Sequence, residues 1–360
     1  MKLIEVVRRH GGALLAVGLA LAGAPPAYSA DPSKVMPDAI SGAWQKQWPV
    51  LMKFMSKPSG PFPRPDDVAG WDLAYAKTEK LMRLWVGGSP RRWHVDTRPD
   101  TLGPVPVLRL LPPDWHDDGR VLVYVHGGGF TSMSVQSSLG ISALLAAETG
   151  LQVIALDYTV APPARWQQVT DQVVGAYQAL LAQGIAANSI ALIGDSAGGS
   201  IVAGTTLKMR DMGLPLPAAL VLWSPWSDVS GVGDTYRTLA DAEPMLSGAS
   251  LQASALAYAS VEDQKHPYVS PVYGDYSKGY PATLIQGGTR EIFLSNFVRQ
   301  YQAIKSGGGD ATLDLYEGMI HVFQSMVPAS PESKQALRTV KTFLDQHMKA
   351  RGDAAALVRK

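Results

Sequence analysis

A serine set between glycines, three consecutive glycines behind a histidine, and a late histidine with a carboxylate upstream are the residues of this chain whose types and spacing permit nucleophilic catalysis. The serine is Ser196, in Ile193-Gly194-Asp195-Ser196-Ala197-Gly198-Gly199, just after an apolar run and at the start of a stretch with helical spacing. A serine on a sharp strand-to-helix turn exposes its hydroxyl, and glycines flank it because a Cβ there would collide with the tight backbone. The helix that follows directs its positive end at the site and favours developing negative charge. A Gly/Ser turn without catalysis is the alternative for this motif alone. The glycine run is Val123-Tyr124-Val125-His126-Gly127-Gly128-Gly129-Phe130, also after an apolar run. Its N–H groups are free to point into a cavity, so Gly127 and Gly128, joined by the N–H of Ala197, are the expected donors to an oxyanion. A phosphate-binding turn is the other reading of this run.

A serine hydroxyl needs a histidine base, and the base needs a carboxylate to orient it. Of seven histidines, His10 lies in an apolar leader, His94, His116 and His266 sit in polar loop contexts, and His347 falls in a terminal helical pattern. His126 is expected to order the glycine loop. His321, in Glu317-Gly318-Met319-Ile320-His321, follows the last apolar run and is the expected base. The acid should follow the run before that, and Glu291 is the first carboxylate beyond Gln286-Gly287-Gly288. Asp228, Asp310 and Asp314 fit the order less well.

These residues need elements to position them. Apolar runs rich in β-branched residues occupy 106–111, 121–125, 153–156, 190–193, 220–223, 283–285 and 313–316, and helical spacing occupies 169–181, 197–209, 293–304 and 334–348. Continuous apolar strands alternating with helices imply an α/β fold: a mostly parallel central sheet with helices on both faces. Ligands bind at the carboxyl ends of such strands, where the motifs above fall. Residues 31–90 differ, being rich in Pro, Trp and Met, with helical spacing over 73–85. They are expected to form short helices packed on the larger domain of 91–360. Trp44, Trp48, Trp71 and Trp85 are expected to serve packing, with lining of an acyl pocket as the alternative.

Composition narrows the chemistry. Lys+Arg number 32 and Asp+Glu 31, for a net charge of +1, with no basic run of five or more, which argues against nucleic acid as a partner. The absence of cysteine excludes disulfides, thiolate zinc sites and a cysteine nucleophile. Residues 1–30 have the form of a signal peptide: Lys2, Arg8 and Arg9, an apolar core over 13–24, then Ala27-Tyr28-Ser29-Ala30, with cleavage expected after Ser29 or Ala30. The apolar core is shorter than the roughly 20 residues that span a bilayer. Export to the periplasm or medium is the expectation, with no membrane span after leader removal.

Taken together, the motifs resemble the bacterial hormone-sensitive-lipase-like esterases of the α/β-hydrolase fold, in the branch with a Gly-Asp-Ser-Ala-Gly elbow. The resemblance runs from about Trp93 to the last helix and extends to Asp157-Tyr158-Thr159-Val160-Ala161-Pro162, Ser224-Pro225-Trp226-Ser227-Asp228 and Tyr268-Val269-Ser270-Pro271, which are taken as scaffold. It implies Ser196 as nucleophile, His321 as base, Gly127, Gly128 and Ala197 as oxyanion donors, and an N-terminal helical cap over the acyl pocket. It also hints at a homodimer beside the sheet edge. Two departures stand out: the family's usual acid is an aspartate before Pro-Leu, whereas Glu291 precedes Ile292-Phe293, and Pro163 stands where an acidic residue is usual. The resulting expectation is a serine carboxylesterase acting on short- to medium-chain acyl esters, without metal or organic cofactor. Lactone or amide hydrolysis by the same residues and a catalytically silent binding protein are the rivals.

Overall fold

A computed structural model of the chain describes residues 38–54, 61–86 and 89–351. The expected leader, the first residues of the Trp-rich segment and the side chain of Trp85 lie outside the described residues. Eight strands form one sheet: β1 (Asp96–Leu102), β2 (Val105–Leu111), β3 (Val121–Val125), β4 (Gln152–Leu156), β5 (Ile190–Asp195), β6 (Ala219–Trp223), β7 (Ala282–Gly288) and β8 (Ala311–Tyr316). Their order is β1-β2-β4-β3-β5-β6-β7-β8, with β1 and β2 antiparallel to their neighbours and the rest parallel. The helices are α1 (Gly42–Phe54), α2 (Val68–Val86), α3 (Ser89–Arg92), α4 (Leu139–Thr149), α5 (Trp166–Ala182), α6 (Ala197–Asp211), α7 (Thr235–Thr238), α8 (Gly248–Tyr258), α9 (Leu294–Ser306), α10 (Phe323–Met326) and α11 (Pro331–His347).

The central strands are buried along their whole length because both sheet faces are covered. Alternate residues go to opposite faces. Val123, Leu192 and Leu222 pack with Val173 of α5, Ile201 of α6 and Phe297 of α9. Leu122, Ile193 and Val221 pack on the other side with Leu144 of α4 and Leu337 and Leu344 of α11. The parallel register sets Val125 beside Gly194, Asp195 beside Trp223, Trp223 beside Gln286, and Gly288 beside Tyr316. The turns leaving β3, β5, β6, β7 and β8 therefore share one edge.

All seven strands expected from the apolar runs are present. The sheet adds β1, a polar edge strand with Pro99 whose residues are mostly exposed, and which carried no apolar signal. α4 and α8 were also not expected. The N-terminal segment forms α1 and α2, and they pack at separate places. Trp44 and Trp48 of α1 are buried with Met319, Ile320 and Phe323, and Ser41 donates its N–H and Oγ–H to the Glu332 carboxylate at the start of α11, at 2.7 and 2.8 Å. Trp71 of α2 joins the core, and Glu79 accepts hydrogen bonds from Ser134 and Ser137 beyond the glycine loop, at 2.9 and 2.5 Å.

Candidate active site

Ser196 sits between β5 and α6 at φ +54° and ψ −122°. This backbone conformation is strained for a residue with a Cβ and persists only when its surroundings over-determine it. Here they do. The Ser196 N–H donates to the Trp223 carbonyl at 2.8 Å, and the Ser196 carbonyl accepts from the N–H groups of Trp226 at 3.0 Å and Gly199 at 3.1 Å. Close approach demands the glycines: a Cβ on Gly198 would strike the carbonyls of Val125 and His126, and one on Gly194 would strike Gly198. The serine is buried but retains some exposure at 8 %.

His321 and Glu291, from the turns after β8 and β7, come together with Nδ1 and Oε2 at 2.7 Å. Both are buried. The other Glu291 oxygen accepts the Gly288 N–H at 2.6 Å and the Ser224 hydroxyl at 2.8 Å. Ser224, after β6, also accepts the Val322 N–H at 3.0 Å, so one hydroxyl ties Glu291 to the loop that carries the imidazole. Burial alone would push the His321 pKa down, but the hydrogen bond and charge of Glu291, followed by the charges of Glu243 and Asp195, outweigh it and hold the pKa above the ordinary value. With Nδ1 engaged by Glu291, Nε2 is the nitrogen left to take a proton. Phe293 meets the imidazole edge-on at 5.4 Å between centroids.

The glycine loop is held by residues the sequence did not single out. The buried carboxylate of Asp195, next to Ser196, accepts the Tyr124 hydroxyl at 2.7 Å and the Gly127 N–H at 3.1 Å. Burial pushes the Asp195 pKa up against these donors. The second bond corrects the expectation for Gly127: its N–H is already directed at a carboxylate and is not available to an oxyanion. Gly128 and Gly129 follow at φ +103° and +62°, and a Cβ on Gly128 would strike the Ser132 carbonyl. The N–H of Ala197 belongs to the first turn of α6, where no carbonyl four residues back can serve it. His126 orders the loop as expected: it is buried, bonds the Gly127 carbonyl through Nδ1 at 2.9 Å and stacks on Tyr158 at 4.3 Å. Desolvation holds its pKa below the ordinary value.

In the segment 157–162, expected as scaffold, two side chains hold backbone groups of neighbouring loops. Asp157 accepts the Val135 N–H at 3.0 Å, and Tyr158 donates to the His126 carbonyl at 2.9 Å. A cleft opens between α2 and this loop, lined by Trp71, Tyr75, Met133, Asp157, Tyr158 and Pro163. Trp71 thus combines packing with lining of a cleft, whereas Trp44 and Trp48 lie in the core. Asp228, set aside as the acid, pairs with Arg299 at 2.5 Å, and Asp314 accepts from Gln286 at 2.8 Å.

Comparison with known proteins agrees with this architecture. The family defined by the alpha/beta hydrolase fold matches residues 122–325. The chain is 35% identical over 227 residues to an acetyl-hydrolase of Streptomyces hygroscopicus, covering 63% of this chain and 76% of that protein. It is 32% identical over 225 residues to an esterase of Acinetobacter venetianus, covering 62% and 74%. Among solved structures, an esterase from the bacterial hormone-sensitive lipase family superposes with a TM-score of 0.76 at 30% identity, covering 86% of this chain and all of that one. The chain belongs to the α/β-hydrolase family, among its hormone-sensitive-lipase-like esterases.

Proposed function

We propose that this protein is a serine carboxylesterase that hydrolyses short- to medium-chain acyl esters, with Ser196 as nucleophile, His321 as general base and Glu291 as the orienting acid. The 2.7 Å contact between Glu291 and His321, on the sheet edge that also carries Ser196, supports the reading most directly. Ser196 Oγ attacks the ester carbonyl carbon as its proton passes to Nε2 of His321. The carbonyl oxygen becomes an oxyanion, received by the N–H groups of Gly128, Gly129 and Ala197; Gly129 replaces Gly127 because the latter donates to Asp195. Collapse of the tetrahedral adduct breaks the C–O bond, and the leaving alkoxide takes the proton from Nε2. Water then attacks the acyl-serine, gives its proton to the same nitrogen, and the carboxylic acid leaves with Ser196 restored. A relative named for acetyl hydrolysis supports the short end of the acyl range.

The test is hydrolysis of p-nitrophenyl esters from acetate to laurate by wild type and Ser196→Ala. Wild type should favour the shorter chains, and the variant should lose about 10⁴-fold or more of the rate. Equal rates in the two proteins would remove Ser196 from the mechanism. Inactivity of both towards every ester would favour the binding-protein reading. Residues 1–30 support a companion proposal of export, with a mature chain beginning at Ala30 or Asp31.

A further inference from the structure

The segment between α7 and α8 carries a carboxylate that the proposed mechanism does not use. Glu243 is fully buried. Its Oε1 accepts the N–H groups of Met245 at 2.8 Å and Leu246 at 3.4 Å, while Oε2 is shut off from solvent and has no hydrogen-bond partner among the described residues. A buried carboxylate oxygen left unpaired is costly, and a turn that needs only two N–H acceptors does not require a charge. The surroundings point to what the charge serves. The Ala242 carbonyl accepts from the guanidinium of Arg290 at 3.2 Å, and the backbone N–H of Arg290 donates to the Met319 carbonyl at 3.2 Å. Met245 packs against the cluster of Met319, Ile320 and Phe323. Arg290 directly precedes Glu291, and Ile320 directly precedes His321, so the Glu243 turn is fastened to both members of the acid–base pair.

We infer that Glu243 is a second carboxylate acting on His321 through space, a positioning residue that favours the imidazolium formed when Ser196 gives up its proton. The inference rests on the proposed roles of Ser196 and His321. The charged groups that interact electrostatically with Glu243 are His321 from the turn after β8, and Glu291 and Arg290 from the turn after β7. Burial dominates and raises its pKa. His321 and the Met245 N–H oppose that rise, Glu291 adds to it, and the outcome is about 7. Glu243 therefore changes charge within the range where the imidazole must lose and regain a proton, and the two titrations are coupled. Ionised Glu243 strengthens the base; protonated Glu243 leaves it weaker.

The experiment is the pH profile of kcat/KM for wild type, Glu243→Gln and Glu243→Asp, with folding of each verified by circular dichroism. Removing the negative charge lowers the His321 pKa, so the acid limb of the Gln variant should move to lower pH by about half a unit or more, with a several-fold lower plateau. The Asp variant should keep its limb near that of wild type. A lowered plateau with an unmoved limb in the Gln variant would reduce Glu243 to packing and overturn the inference. A measurement on wild type guards against a variant that does not fold. The ring nitrogens of His321, identified by the NMR signals lost in His321→Asn, should titrate in two steps, and a single step overturns the inference. That titration needs no turnover, so its failure is distinct from survival of activity in Ser196→Ala, which would sink the parent reading.

Discussion

Ser224 has the most leverage of the side chains around Glu291, because one hydroxyl donates to its carboxylate and accepts from the backbone beside His321. Ser224→Ala removes a hydrogen bond to a charged group, worth about 1.5–3 kcal/mol. If that stabilisation holds the acid in place for the transition state, kcat should fall roughly 10- to 100-fold with KM little changed, as steady-state kinetics would show. The nearby segment Ser224-Pro225-Trp226 read as scaffold from sequence, since nothing in a serine's spacing tells which carboxylate it will meet. The meeting of Glu291 with His321 was legible, because position after the penultimate strand is enough to nominate that carboxylate. Gly127 was misassigned for a related reason. A glycine run announces free N–H groups but not their direction, and the direction depends on Asp195, whose place in the elbow motif concealed its second role.

At the scale of elements, the elbow holds because β3, β5 and α6 approach closely through glycine. Gly198→Ala would drive a methyl group into the carbonyls of Val125 and His126, at the root of the glycine loop. Overpacking of this kind costs about 1–3 kcal/mol, so the melting temperature should drop, and activity should drop further if the same shift displaces the N–H groups proposed to receive the oxyanion. A variant with unchanged melting and unchanged kcat would show that the loop can retreat. Strands buried on both faces were legible as apolar runs, since burial there leaves no choice of residue type. β1 was not, because an edge strand open to water is polar and its pairing with β2 is specified by the hairpin at Gly103-Pro104 and by Arg109 reaching Asp100 at 2.6 Å. α4 and α8 were missed because α4 is apolar and largely buried, and α8 is built from small residues, so neither shows a polar stripe.

For the whole molecule, protonation sets stability and activity apart. Buried Asp195, Glu243 and His321 all have raised pKa values, so the folded protein holds their protons more tightly than the unfolded chain does. Their contribution to stability is present at low pH and declines as pH rises, for Glu243 between its ordinary value of 4.5 and about 7. Surface Asp100, Asp118 and Asp345 have lowered pKa values, and their contribution disappears as pH falls through the acid range below 3.8. Urea unfolding midpoints should therefore peak on the acid side of neutrality, while ester hydrolysis, which in the proposed mechanism needs neutral His321, should still be rising there. Coincident optima would contradict this assignment. Glu243→Gln should flatten the decline in stability towards neutral pH.

The burial of Trp44 and Trp48 beneath Met319, Ile320 and Phe323 also bears on how such proteins can be recombined. The family match starts at residue 122 and ends at 325, yet the floor under the His321 loop is built from α1 and Ala336 of α11, on either side of those limits. A chimera joined at the borders of the matched region would give His321 a floor from one parent and a loop from another. Recombination within this family should therefore carry α1 and α11 together with the loop they support, as one inherited block.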